Sequence, residues 1–166
     1  MAIEICGRQT LVVVPTLDLM NQWYDHLTTA FNAEIGLIGG GFYEIGAITV
    51  TTYASAFRHQ ERLGDQFGLI IFDECHHLPS EGYKYGAEFA IAPFRLGLSA
   101  TPERGDAGDD LLREIVGDFV YRLEAQQLAG EYLADYIVER IEVDLSDEER
   151  ANYQRERAIY TDFKRR

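Results

Sequence analysis

Apolar positions along the chain fall into short continuous runs, separated by stretches with a helical period. Thr10-Leu11-Val12-Val13-Val14-Pro15 is uninterrupted and β-branched, the pattern of a strand buried on both faces. Pro15 ends the run, and Thr16 is placed to cap a helix. Over residues 17–31 the apolar side chains Leu19, Met20, Trp23, Leu27 and Phe31 recur at helical spacing. Residues 34–38 predict a short strand closed by Gly39-Gly40-Gly41, residues 47–51 another strand, and residues 53–63 a helix. Gly68-Leu69-Ile70-Ile71-Phe72 is a second continuous apolar run, and it leads straight into Asp73. Residues 95–99 read as a shorter strand, 109–116 as a helix, and 137–143 as an alternating strand. Ser146-Asp147-Glu148-Glu149 is a capping box in which Ser146 and Glu149 satisfy each other's backbone donors. It opens a charged helix with little apolar face that runs to residue 166. There is no internal repeat and no low-complexity stretch.

Short apolar strands separated by helices imply a mostly parallel sheet covered on both sides. Ligands of such sheets bind at the carboxyl ends of the strands. At 166 residues with 46% hydrophobic side chains, the chain has enough apolar material for one domain and a tail. No apolar run approaches the roughly 20 residues of a membrane span. The start, Met1-Ala2-Ile3-Glu4, has an acid where a signal peptide has a basic segment. Two cysteines, Cys6 and Cys75, make neither a disulfide framework nor a zinc ribbon, and a reducing cytosolic setting is the expectation.

Charge narrows the partners. The net charge is −13, and of 15 basic residues only Lys84 and Lys164 are lysines. Residues 1–102 carry 5 basic and 11 acidic groups, and residues 103–166 carry 10 and 17, so the acidity is not one tail. Such a field opposes sequence-blind binding to phosphate backbones but leaves room for a local groove. It would also suit a high-salt cytoplasm, where long-range repulsion is screened.

The chemistry-bearing segments leave strand ends. Four apolar residues followed by Asp73-Glu74 form a Walker B pattern. Asp73 at the strand tip can serve Mg²⁺, and Glu74 can orient or deprotonate an attacking water. The competing readings are a solvated acidic loop, or a soft-metal site of Cys75, His76 and His77. The latter has no second Cys/His pair at ligand spacing. Ser99-Ala100-Thr101-Pro102 follows the next strand, where two hydroxyls can reach a neighbouring loop or simply make a capped turn. Pro15-Thr16 opens a helix whose free N–H groups suit a phosphate, or forms a plain strand–helix turn. Thr51-Thr52 after residues 47–50 is equally open.

Taken in order, these segments resemble the first RecA-like domain of superfamily-two helicases. Motif Ia corresponds to Val14-Pro15-Thr16, Ib to Thr51-Thr52-Tyr53, II to Asp73-Glu74-Cys75-His76, and III to Ser99-Ala100-Thr101. The runs 71–79 and 91–101, and the stretch from Leu128-Ala129-Gly130 onward, look like the archaeal XPB helicases. The resemblance spans essentially the whole chain. It implies an α/β, RecA-like three-layer sandwich with a mostly parallel sheet, and a DExH-box ATP-dependent DNA helicase or translocase tied to DNA repair and transcription. ATP and Mg²⁺ are the implied cofactors. The implied partners are DNA, a second RecA-like domain, and a repair nuclease or other repair proteins, with no membrane. By the same resemblance Asp73 serves Mg²⁺ and Glu74 is the hydrolytic acid. His76, Ser99 and Thr101 couple nucleotide to DNA, and Pro15, Thr16, Gly40, Thr51 and Thr52 touch the DNA backbone. Backbone and hydroxyl contacts need no basic patch.

Two departures accompany the match. ATP chemistry in this fold uses a P-loop, G-x-x-x-x-G-K-S/T, and these 166 residues contain no Gly-Lys pair. The family's P-loop helix directly precedes motif Ia, and residues 1–6 resemble its tail. The expected division is therefore 1–145 as helicase domain 1 without motif I, and 146–166 as a connector helix toward the second domain. An unpaired central strand edge, and with it self-association, should result. The second departure is local: XPB-type proteins carry Arg-Glu-Asp where this chain has Arg104-Gly105-Asp106. The alternatives to a motor domain are an ATP-independent RecA-like scaffold and a restriction-type translocase relative.

Overall fold

The computed structural model describes residues 1–80, 82–100, 108–123 and 139–165. Its contacts divide the chain into residues 1–120 and 121–166. In the first unit the described strands form one six-stranded sheet. β1 (Thr10–Val14), β2 (Ile35–Gly39), β3 (Phe42–Tyr43), β4 (Ile48–Thr52), β5 (Leu69–Asp73) and β6 (Phe94–Leu98) lie in the order β3-β2-β4-β1-β5-β6. Every pairing is parallel except the β2–β3 hairpin.

The continuous apolar runs occupy the middle of the sheet, as burial on both faces requires. All five residues of β1 and of β4 are buried, and so are the first four of β5. Alternation then splits the core into two layers. Val12, Val14, Val50, Leu69 and Ile71 meet α2 (Leu17–Ala30) through Met20 and Leu27. Leu11, Val13, Ile70 and Phe72 lie on the opposite face with Tyr53, Leu78, Ala87, Leu112 and Ile115. That second layer comes from α3 (Tyr53–Arg58), α4 (Gln60–Leu63), the 3₁₀ turn Cys75–His77, α5 (Tyr83–Phe89) and α6 (Gly108–Ile115). Burying one such Val, Leu or Phe side chain contributes about 1.5–3 kcal/mol. Parallel pairing brings the carboxyl ends of β1, β2, β4, β5 and β6 to one rim of the packed sheet.

Several local expectations hold. Thr16 Oγ1 accepts from the Leu19 N–H at 3.2 Å and caps α2. Ser146 caps the last helix, α7 (Asp147–Arg165), in the second unit. Its N–H and hydroxyl both donate to Glu149 Oε2, at 2.8 and 2.7 Å, and these bonds lower the Glu149 carboxyl pKa. A short helix α1 (Ala2–Cys6) stands where the resemblance placed one.

Other expectations are corrected. The helix anticipated over 53–63 is two helices broken at His59. There φ −108° and ψ 14° leave the helical region, and the His59 carbonyl accepts from both Arg62 and Leu63. The alternating strand over 137–143 is absent from its described part. Residues 139–146 are irregular, with Ile141 and Val143 exposed; among the described residues they have no partner strand, and alternation makes a strand only where a partner and a surface to cover exist. Its first two residues lie outside the described set. Two elements escaped the pattern. β3 returns from β2 through Gly40-Gly41, both at positive φ (61° and 97°), as a two-residue hairpin loop demands. α5 is seven residues long, too short for a helical period to stand out.

Candidate active site

β5 alternates its side chains between the two layers, so Asp73 at its end points to the α2 side. Trp23 waits there, one turn beyond the α2 residue Met20 that anchors in the core. Its indole Nε1–H donates to Asp73 Oδ2 at 2.7 Å. From the opposite face the Tyr53 hydroxyl donates to the Asp73 carbonyl at 2.8 Å. Asp73 Oδ1 accepts the Glu74 N–H at 3.1 Å. Side chain and backbone are thus fixed from both layers.

Glu74 sits at φ 49°, ψ 50°, in the left-handed region. Among the described residues it is the one non-glycine residue at positive φ. A glutamate there costs about 1 kcal/mol or more, and such strain gathers at functional sites. The bend turns the chain from the strand into the 3₁₀ turn and brings His76 back toward the rim. His76 Nδ1 lies 2.9 Å from Ser99 Oγ and 3.3 Å from Glu74 Oε2. With Nδ1 protonated the ring donates to both oxygens; in the other neutral tautomer Ser99 donates to the ring. The imidazole therefore links the tip of β5 to the residue that follows β6.

Beneath the turn Cys75 is buried, and burial raises its thiol pKa, with the neighbouring carboxylates adding to the effect. Tyr53 is pushed well above the ordinary phenol range, first by burial and then by Cys75, Asp73 and Glu74. It stays a neutral donor. Its ring stacks on Tyr83 at 5.2 Å and lies 6.4 Å from His77. Neither Tyr53 nor Trp23 stood out as a site residue in the sequence. Trp23 read as one more position of an apolar stripe, and only the β1–β5 pairing brings it to Asp73.

The remaining candidates line the same rim along neighbouring strands. Pro15 and Thr16 follow β1, Gly40 follows β2, and Thr51-Thr52 end β4. Thr16 and Gly40 are exposed. Thr52 caps α3, accepting the Ser55 N–H at 3.2 Å. Thr51 is fully buried, and its hydroxyl donates to the Ile38 carbonyl at 2.7 Å. That side chain is spent inside the sheet. Thr101 lies outside the described residues, as do Arg104, Gly105 and Asp106.

Asp73 and Glu74 offer only oxygen donors, which suits a hard cation held by one or two carboxylates, with waters and phosphate oxygens completing its shell. Among the described residues no three His, Cys, Asp or Glu side chains converge on a common metal position. The soft-ligand alternative thus has no support in that set. The residues present fit Mg²⁺. They do not supply a phosphate cradle, since the sequence has no P-loop lysine.

Residues 3–104 match the sequence model of the family described as "Type III restriction enzyme, res subunit". Over 161 residues, 97% of its length, the chain is 46% identical to "DNA 3'-5' translocase XPB2" of Sulfurisphaera tokodaii, of which it covers 37%. This chain belongs to the XPB-type superfamily-two helicases. It is also 38% identical over 122 residues (70% of this chain) to "Putative DNA 3'-5' helicase Rad25" of Haloarcula marismortui, covering 20% of it. The XPB-type domain spans well under half the length of these relatives. Its fold matches the Sulfolobus solfataricus SWI2/SNF2 ATPase core solved in complex with dsDNA. That match has a TM-score of 0.55 and 18% identity, over 65% of this chain and 25% of the other. The RecA-like, mostly parallel architecture expected from the sequence is the one found.

Proposed function

We propose that this chain is the first RecA-like half of an ATP-driven DNA translocase or helicase serving DNA repair, in which Asp73 holds Mg²⁺. Mg²⁺ held by Asp73 would supply positive charge to offset the negative charge of the phosphates. Glu74 orients and deprotonates the attacking water. His76, Ser99 and Thr101 transmit the state of that site. Pro15, Thr16, Gly40, Thr52 and the backbone at Thr51 approach the DNA phosphates, a contact that needs no lysine. A second RecA-like domain completes the motor, and a repair nuclease or other repair proteins are its partners. Its place is the cytoplasm; no described helix is long and apolar enough to cross a membrane.

The observation that carries this reading is the three-way contact of His76 with Ser99 and Glu74. A solvated acidic loop has no need of a ring bridging two strand tips beside a strained glutamate. The ATP-independent scaffold would need none of these groups. The restriction-type reading shares the motifs within 3–104, but the XPB likeness runs over 97% of the chain.

The test is a chimera in which this chain replaces the matching 161 residues of the Sulfurisphaera protein. Duplex DNA should accelerate its ATP hydrolysis at least tenfold. A chimera that melts cooperatively, yet hydrolyses ATP at the same rate with and without DNA, would overturn the reading.

A further inference from the structure

We infer that Trp23 is a positioning residue for the metal carboxylate: its indole fixes Asp73 so that the carboxylate is preset for a divalent cation. The inference rests on the assignment of Asp73 to Mg²⁺ made above. Trp23 lies 50 residues upstream of Asp73, on a helix packed against the sheet, yet its N–H meets Oδ2 at 2.7 Å. That is the short end of the N–H···O range, as expected for a bond to a charged acceptor. The ring itself packs on the layer that contains Met20, Leu27 and Ile71. Its orientation is therefore set by the core and not by the carboxylate.

The consequence is geometric. Oδ1 is engaged by the Glu74 N–H and Oδ2 by the indole, which together stop rotation about the Cβ–Cγ bond. Each carboxylate oxygen can accept more than one bond, so one acceptor site on each remains for a cation or its waters. A free aspartate at a strand end would lose rotamer freedom on binding metal; this one has already lost it. Partners that orient a ligating carboxylate are typically worth about 10–100-fold in metal affinity. A half-buried bond to a single oxygen should sit at or below the low end of that range.

Trp23 is the one tryptophan of the chain, so it gives a single indole N–H resonance. The probe is Mn²⁺, which replaces Mg²⁺ and broadens nearby protons. In the unaltered chain Mn²⁺ should broaden the indole signal saturably, and in Asp73→Asn it should not. Trp23→Phe keeps an apolar ring and removes the donor. It should weaken Mn²⁺ binding, followed by electron paramagnetic resonance, by about three- to tenfold, with the melting transition still cooperative. If Mn²⁺ binds with the same affinity in Trp23→Phe, the positioning role is overturned while Asp73 keeps its metal. If the unaltered chain and Asp73→Asn respond to Mn²⁺ alike, the metal assignment falls, and the inference with it. Should Trp23→Phe fail to fold, the indole resonance decides: unmoved in Asp73→Asn, it contradicts the bond itself.

Discussion

Among the described residues β5 is paired on both edges and buries four of its five residues, whereas β6 pairs on one edge and buries none. Both strands deliver residues to one site. β5 brings Asp73 and Glu74, whose positions must not vary if a cation and a water are to be held. β6 leads to Ser99, proposed above to pass on a change. The strand held on both edges thus carries the groups proposed to hold the cation and the water, and the less buried strand leads to the residue proposed to transmit. His76 joins the two.

Core truncation should separate the strands most clearly. Phe72→Ala on β5 should cost about 3–5 kcal/mol, and Leu96→Ala on β6 only about 1–2 kcal/mol, by urea unfolding. Equal losses would mean that β6 is no looser than β5.

The link between the strands comes next. In the Sulfurisphaera chimera, His76→Ala and Ser99→Ala should each reduce DNA-stimulated hydrolysis about tenfold, or about 1.4 kcal/mol. The double variant should be no worse than the poorer single one, because both remove the same bridge. Additive losses would show that the two act separately.

A third prediction concerns the base of the turn, with its sign set by Tyr53 and Cys75. Burial raises both pKa values in the folded state. Folding therefore favours the protonated forms, and stability is complete below the unfolded-state values. It falls as pH rises through them, beginning near 8.5 for the thiol and 10 for the phenol. Unfolding free energy should be flat from pH 7 to 8 and drop above about pH 9, by up to about 1.4 kcal/mol per pH unit for each group. Cys75→Ala should remove the earlier part of that drop. A flat profile to pH 11 would contradict the burial of both groups.

The smallest effect lies on the outer edge of β6. Among the described residues that edge has no partner strand, and Phe94 and Leu98 are exposed. Concentration-dependent self-association should appear in sedimentation at moderate salt and weaken in Phe94→Lys, since a charge blunts strand addition. A monodisperse monomer would show that the edge is not sticky.

Much of this was legible in the sequence because the informative residues are local. The runs 10–14 and 69–72 are apolar on both faces, so they had to be inner strands, and Asp73-Glu74 had to sit at a tip. Thr16 and Ser146 were readable as caps because capping uses neighbours three residues away. What stayed hidden depends on pairing. Nothing within 17–31 says that Trp23 meets Asp73; that needs β1 beside β5 and α2 above them. Thr51 was expected to reach the DNA backbone, and only the β2–β4 pairing shows its hydroxyl held against the Ile38 carbonyl. The described part of the strand anticipated over 137–143, residues 139–143, is irregular for the same reason in reverse: among the described residues it has no partner strand, and a period without a partner makes no sheet.

The assignment of Glu74 is tested most directly by Glu74→Gln in the chimera, with nucleotide affinity and turnover measured side by side. The side chain keeps its size and loses the carboxylate. Turnover should fall about 10²–10³-fold while ATP affinity stays within about threefold. Turnover within tenfold of the unaltered chimera would contradict the role of the strained glutamate as the hydrolytic acid.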